Sequence, residues 1–375
     1  MERISQKRLM NAVREASFPV YRGEDRKPSA PDPAIKPTVR FYTAKDTESI
    51  GYWRMGMPYV GVHKLGVYGV LDTSIPTYDA LRGQDKKEWA NTMVVATHIT
   101  YRRGEADKVE ALVKAGQRVV VDVDDNIWAA KVCTTKDLKA FERSLQLATV
   151  VTATTEYLAR KIKEHVACNV AVLPNAVSET EFRPMSERME RERLKVLYTG
   201  AIKHADEWPL LRGMIQATAD FADWFVFMGN GRDKTGHFVQ YVHPQELHDA
   251  PNIHWQVPQE PMYFLRTCYN LRADVCVAPL AKTPVNRAKS DLKILEAGAL
   301  GLPVIVQDNI EPYAEYAGMR GETVADFAAH LRTLDTDEEE RQRQANIAID
   351  YTWERRVEGA KYLGTLYYAY FVAGS

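Results

Sequence analysis

The chain has 375 residues, 49 Lys and Arg against 50 Asp and Glu, with 45% hydrophobic and 26% charged residues. That length suits two domains or one large one, and the near-zero net charge excludes the broad positive field of non-specific nucleic-acid binders, though not a local basic patch. No apolar run approaches the roughly 18–20 residues a membrane helix needs, since the longest, Ala297 to Val306, is short and contains Gly and Pro.

Residues 1–37 stand apart. Met1 to Ala16 reads as one short basic helix, and five prolines (19, 28, 31, 33 and 37) then resist regular structure. Eight Lys and Arg against five Asp and Glu make this a mildly basic arm, either a strap or a segment that binds a partner. From there strand-like and helix-like segments alternate. Thr38–Tyr42, Met93–Thr97, Arg118–Val123, Val150–Ala153 and Val170–Leu173 read as strands. Glu105–Ala115 (ending at Gly116), Leu138–Leu147 and Glu156–His165 read as helices. A polar stretch, 178–193, interrupts the pattern.

The alternation then restarts with strands at Val196–Thr199, Trp224–Met228, Ile253–Gln256, Val275–Ala278 and Val304–Gln307. Helices are expected at Trp208–Phe221, Pro244–Leu247, Pro261–Leu271 and Asp291–Leu300. Asp335–Glu340 reads as a solvated helix start, and Thr352–Val372 as a closing helix with an aromatic stripe. The fold class expected is α/β, with two doubly wound parallel-sheet domains, 38–177 and 194–351, whose strand-end loops face one cleft. The four cysteines (133, 168, 268 and 276) form no CxxC pair, and MERISQKRLM holds no apolar signal core. Both point to a cytoplasmic chain with reduced thiols.

The stretch from Ala278 to Asp308 carries the most chemistry. A strand gives way to a loop with Lys282, Arg287 and Lys289, and a helix begins near Ser290 or Asp291. Helix starts favour anions, and Arg and Lys add charge-assisted donors for phosphate. Leu292 and Lys293 open that helix. Glu296 lies one to two turns inward, where a carboxylate can accept hydrogen bonds from two vicinal ribose hydroxyls. The alternative is a solvated basic loop with Ser290 or Asp291 as a plain N-cap.

NRAKSDLKILEAGALGLPVIVQD resembles the donor-binding segment of family 4 glycosyltransferases and their phage and surface-polysaccharide relatives of GT-B fold. LPNAVSETEFRP is similar to that family's hinge entry, and LYTGAIKHADEW to the opening of its second domain. VVVDVDDNIW and ESIGYWRMGMP resemble first-domain motifs of the phage-like subgroup. The resemblance covers most of residues 38–350. It implies two Rossmann-like domains, a nucleoside-diphosphate sugar (a UDP- or GDP-sugar) held mainly by the second, and an acceptor held mainly by the first. It also implies a last helix crossing back to the first domain, retention of anomeric configuration and no obligatory metal. Glu296 matches the second Glu of the family's Glu-x7-Glu motif; the first falls at Ala288, and the Arg after the Gly200 turn falls at Ala201. Lys203, Arg287, Lys289 and Lys293 are the available substitutes. The resemblance also points to His204, and to the backbone at Val257 as a seat for the base.

Other candidates lie at expected strand ends. Asp122, Asp124 and Asp125 could hold a divalent metal, contact the acceptor or act as a base (Asp124 and Asp125 foremost), or cap the next segment. His98 either takes a proton from the acceptor or is a structural histidine. Gly51 is expected near the donor phosphates and Arg54 at the substrate, the alternative being a turn with a surface Arg. Arg102 and Arg103 are acceptor candidates, and Gly229 borders the nucleotide or forms a plain turn. The expected activity is glycosyl transfer to a glycan, protein or modified nucleic acid. A binding module that has lost turnover is the alternative. The absence of Gly-x-Gly-x-x-Gly after the early strands argues against a dehydrogenase.

Overall fold

The valine-rich runs become central strands of two parallel sheets in a computed structural model of the chain, which describes residues 38–42, 51–72, 92–97, 105–130, 134–182, 192–201, 205–229, 250, 252–256 and 261–374. The chain divides into two units: Met1–Ser178, Ala288–Ser290 and Arg355–Ser375 form one, Glu179–Arg287 and Asp291–Glu354 the other. The expected helix at Pro244–Leu247 and the basic arm lie outside the described residues, as does most of the polar stretch 178–193.

In the first unit the strands are β1 (Thr38–Tyr42), β2 (Tyr68–Asp72), β3 (Thr92–Thr97), β4 (Arg118–Val123), β5 (Val150–Ala153) and β6 (Val170–Val172). They lie in the order β2-β1-β3-β4-β5-β6, each pairing parallel. β4 and β5 are almost wholly apolar because helices cover both faces of such a sheet. The helices are α1 (Met57–Lys64), α2 (Glu105–Lys114), α3 (Ile127–Ala130), α4 (Thr135–Leu147) and α5 (Glu156–His165). Gly116 ends α2 at φ +79°, the left-handed geometry expected of a C-cap glycine. Thr134 and Asp137 close a capping box on α4, and Thr155 caps α5. Their apolar faces pack with Val119, Val121 and Val151, and Ala288 joins this core.

The second unit repeats the plan with β7 (Leu194–Ala201), β8 (Ala222–Gly229), β9 (Ile253–Gln256), β10 (Val275–Ala278), β11 (Val304–Gln307) and β12 (Arg320–Gly321). The order is β12-β11-β10-β7-β8-β9, again with parallel pairings. Its helices are α6 (Trp208–Ala217), α7 (Pro261–Leu271), α8 (Leu292–Ala299), α9 (Val324–Thr336) and α10 (Glu338–Glu354). Trp224, Met214, Phe327 and Leu331 fill its core. Gly298 lets α8 lie against α10: a Cβ there would strike the Ala348 carbonyl and the Thr352 hydroxyl.

The closing helix is corrected. α10 runs to Glu354, and a separate helix α11 (Ala360–Tyr367) begins after a turn. Between them the backbone pairs elsewhere: Val177 N–H donates to Arg355 O and Val357 N–H to Val177 O. Those carbonyls and amides are therefore withdrawn from any helical ladder. α11 packs on α1 within the first unit, with Leu366 and Tyr362 against Gly61.

Candidate functional site

In a doubly wound sheet, ligands bind outside the carboxyl ends of the strands where the strand order reverses. In the second unit that point lies between β7 and β10. β7 brings Thr199 and Gly200 there, and α8, which follows β10, brings Lys293 and Glu296. Lys293 Nζ donates to Thr199 Oγ1 and lies 3.3 Å from Glu296 Oε2. Glu296 is 7% exposed, and with Thr199, Lys293, Phe264 and Cys276 it lines a recess. Burial pushes the Cys276 and Cys268 thiols up, the Glu296 charge adds to this, and Lys293 partly offsets it. Tyr313 is likewise raised, first by burial and then by Glu207, Asp291 and Glu296.

The loop before α8 is laced by ion pairs. Lys282 pairs with Glu322, and Arg287 places Nε 2.8 and 2.9 Å from the two Glu311 oxygens. Neither Ser290 nor Asp291 acts as a plain N-cap: Asp291 occupies the cap position without a side-chain capping bond. Its carboxylate instead accepts from the Tyr351 hydroxyl at 2.7 Å. The first amides of α8 thus have no acidic cap from Asp291. Glu207, 2% exposed, accepts from Asn286 Nδ2 at 2.7 Å and from Ala281 N at 3.3 Å, bracing the loop.

The first unit gathers a second polar cluster. Arg54 lies in a π-helical turn, Gly51–Gly56, that begins at Gly51. Its expected place at the substrate is corrected: it is 2% exposed, with Nε 2.9 Å and NH2 2.5 Å from the Asp122 oxygens. Its NH1 donates to Leu173 O at 2.8 Å and to Asn175 Oδ1 at 3.0 Å. Asp122, expected to meet the acceptor, is corrected with it, because Arg54 and Thr152 Oγ1 (2.6 Å) take its carboxylate. Burial pulls the Arg54 pKa down, but Asp122, with smaller contributions from Tyr362 and Asp124, outweighs it and holds the guanidinium above its ordinary value. Two expected site residues do meet: Lys289 Nζ bonds Asp125 Oδ1. Ser290 Oγ accepts from Asn175 Nδ2 at 2.7 Å. Asp124 follows β4, partly buried.

No protein-family model matches the sequence. The putative teichuronic acid biosynthesis glycosyltransferase TuaH of Bacillus subtilis (strain 168) is 24% identical over 264 residues, which is 63% of this chain and 64% of that protein. The chain thus spans less than two thirds of this relative's length. Among solved structures, sucrose-phosphate synthase from Thermosynechococcus elongatus superposes at TM-score 0.60 and 12% identity, over 87% of this chain and 96% of that one. Anabaena Alr3699/HepE in complex with UDP and glucose does so at TM-score 0.60 and 11% identity, over 86% and 97%. The chain has a GT-B fold. Two parallel α/β units are what the strand alternation implied, and the GT-B fold is what the family resemblance implied.

His98, Arg102, Arg103, Lys203, His204 and Val257 lie outside the described residues. Gly229 ends β8, and Leu292 opens α8. Sequence reasoning singled out neither Glu207, Asn286, Tyr351 nor Asn175. Asn175 stands in the LPNAV phrase, Glu207 in LYTGAIKHADEW and Asn286 at the start of NRAKSD, so those motifs held a signal; Tyr351 is joined to the site only by long-range contact.

Proposed function

We propose that this chain is a retaining glycosyltransferase akin to family 4, moving a sugar from a UDP- or GDP-sugar to an acceptor hydroxyl. The observation that carries the reading is Lys293, Glu296 and Thr199 lining one recess at the second unit's strand-order reversal. Glu296 accepts the two ribose hydroxyls. The uncapped start of α8 and Lys293 neutralise the diphosphate as it leaves, stabilising charge that develops mainly in the transition state. The likeness to TuaH favours a glycan hydroxyl as acceptor over a protein or modified nucleic acid, and HepE, solved with UDP and glucose, favours a UDP-sugar. The free thiols Cys168, Cys268 and Cys276 support a reducing compartment, the cytosol.

A nucleoside diphosphate should raise the melting temperature of the wild type, and Glu296→Ala should remove most of that rise. If UDP, GDP and their sugars all leave the curve unmoved, the donor site has been misread. One observation favours a second reading, a nucleotide-sugar-binding module without turnover. Ala288, where the family resemblance expects a carboxylate, is fully buried in the first unit's core. Release of nucleoside diphosphate from a UDP-sugar separates the two, because a binder releases none.

A further inference from the structure

We infer that the Thr199 hydroxyl is a second reader of the donor's ribose beside Glu296, held in its donating orientation by Lys293 as a positioning residue. This deepens the glycosyltransferase reading above and rests on it. Thr199, Lys293 and Glu296 all belong to the second unit and all line its recess. An ammonium carries three N–H donors and no acceptor. Lys293 gives one to Thr199 Oγ1 and one to Glu296 Oε2 at 3.3 Å, which leaves a third for the diphosphate. Thr199 is thus the acceptor toward Lys293, and its own O–H has to point elsewhere. Among the described residues no group takes that proton, and none donates to Glu296 Oε1.

Thr199 stands near the carboxyl end of β7 and Lys293 in the first turn of α8, so sheet and helix bring the two together. The recess then offers a donor, the Thr199 O–H, and an acceptor, Glu296 Oε1, on side chains tied to one nitrogen. Two oxygens bonded to one nitrogen lie no more than about 6 Å apart, a span that one bridging hydroxyl also covers. A carboxylate alone accepts from any donor. A carboxylate beside an outward hydroxyl favours a group that donates and accepts at once, and a ribose hydroxyl does both. Glu296 takes the proton of that sugar hydroxyl, and Thr199 supplies one to its oxygen. Without Lys293 the Thr199 rotor can turn its lone pairs to the recess, and the match is lost.

Calorimetric titration of the full chain with UDP, GDP and their 2′-deoxy and 3′-deoxy forms tests this. The wild type should bind the ribonucleotide roughly ten- to a hundredfold more tightly than either deoxy form, because each lacks one bond to a carboxylate. Thr199→Val should weaken the ribonucleotide by about three- to tenfold and leave unchanged the one deoxy form that lacks the partner of Thr199. Thr199→Ser, which keeps the hydroxyl, should stay within about threefold of wild type for every ligand. Lys293→Met should weaken every ligand through the diphosphate and also shrink the preference over that deoxy form to the value seen in Thr199→Val. A lysine that only neutralised the diphosphate would leave the preference at its wild-type value, so that result overturns the positioning role. Equal weakening of the ribonucleotide and both deoxy forms by Thr199→Val, or none at all, overturns the inference while the glycosyltransferase reading stands. Should Thr199→Val fail to fold, Thr199→Ala is read in the same way. A wild type that binds neither UDP nor GDP overturns that reading and this inference together.

Discussion

The two units carry ion pairs of opposite character. In the first, Arg54 and Asp122 come from segments 68 residues apart and are sealed, with side chains 2% and 1% exposed. In the second, Lys293 and Glu296 stand three residues apart on one helix, with side chains 33% and 10% exposed, beside a recess. A sealed pair has to find its partners internally, and each Arg54 guanidinium nitrogen does so among Asp122, Leu173 and Asn175. A half-open pair can exchange a partner for a ligand oxygen. Similar chemistry thus braces one unit and equips the other.

The largest expected effect breaks the sealed pair. Arg54→Met leaves Asp122 charged, buried and unpaired, which should cost about 3–5 kcal/mol in urea unfolding. Arg54→Lys should recover little, because an ammonium cannot reproduce the fork. The counterpart, Lys293→Met, should stay within about 1 kcal/mol of wild type, as expected for a partly solvated pair. Equal losses from Arg54→Met and Lys293→Met would erase the distinction between the units.

That distinction was only partly legible in the sequence. RVVVDV, VVTA and VCVA announced buried parallel strands by composition alone. β2 and α1 were missed because YGVLD and MPYVGVHK dilute any period with Gly and Pro. Lys293 and Glu296 could be read as neighbours because three residues is nearly one helical turn. Nothing local tells Arg54 that it will meet Asp122, or Asp291 that it will meet Tyr351. The break at residues 355–359 was equally hidden, since its partner is Val177.

The next effect concerns how firmly α8 is seated. Thr352 Oγ1 donates to Ile294 O at 3.3 Å, tying α10 to α8 next to Gly298. Gly298→Ala drives a methyl into the Ala348 carbonyl, backbone that cannot yield as a side chain would. Overpacking of this kind costs about 1–3 kcal/mol, to be read from thermal unfolding. If the variant melts with the wild type, the α8–α10 contact is looser than described, and the half-open pair rests on a movable helix.

The smallest effect compares thiols. Cys168, half-buried in the first unit, has its pKa pushed up to about 11 by burial, with Lys163 opposing. Cys268 and Cys276 in the second unit are buried beside the Glu296 charge and raised further. The thiolate is the reacting form, so iodoacetamide followed by peptide mapping should label Cys168 slowly near neutral pH and progressively faster toward pH 11. Cys268 and Cys276 should stay unlabelled throughout. The same shift has a stability sign: an unfolded thiol with an ordinary value of 9.0 loses its proton before the folded one does. The contribution is therefore full below pH 9 and is lost as pH rises toward 11. Labelling of Cys276 at the rate of Cys168 would mean that the recess admits solvent as freely as the first unit's surface, and the burial assigned to Glu296 would fall with it.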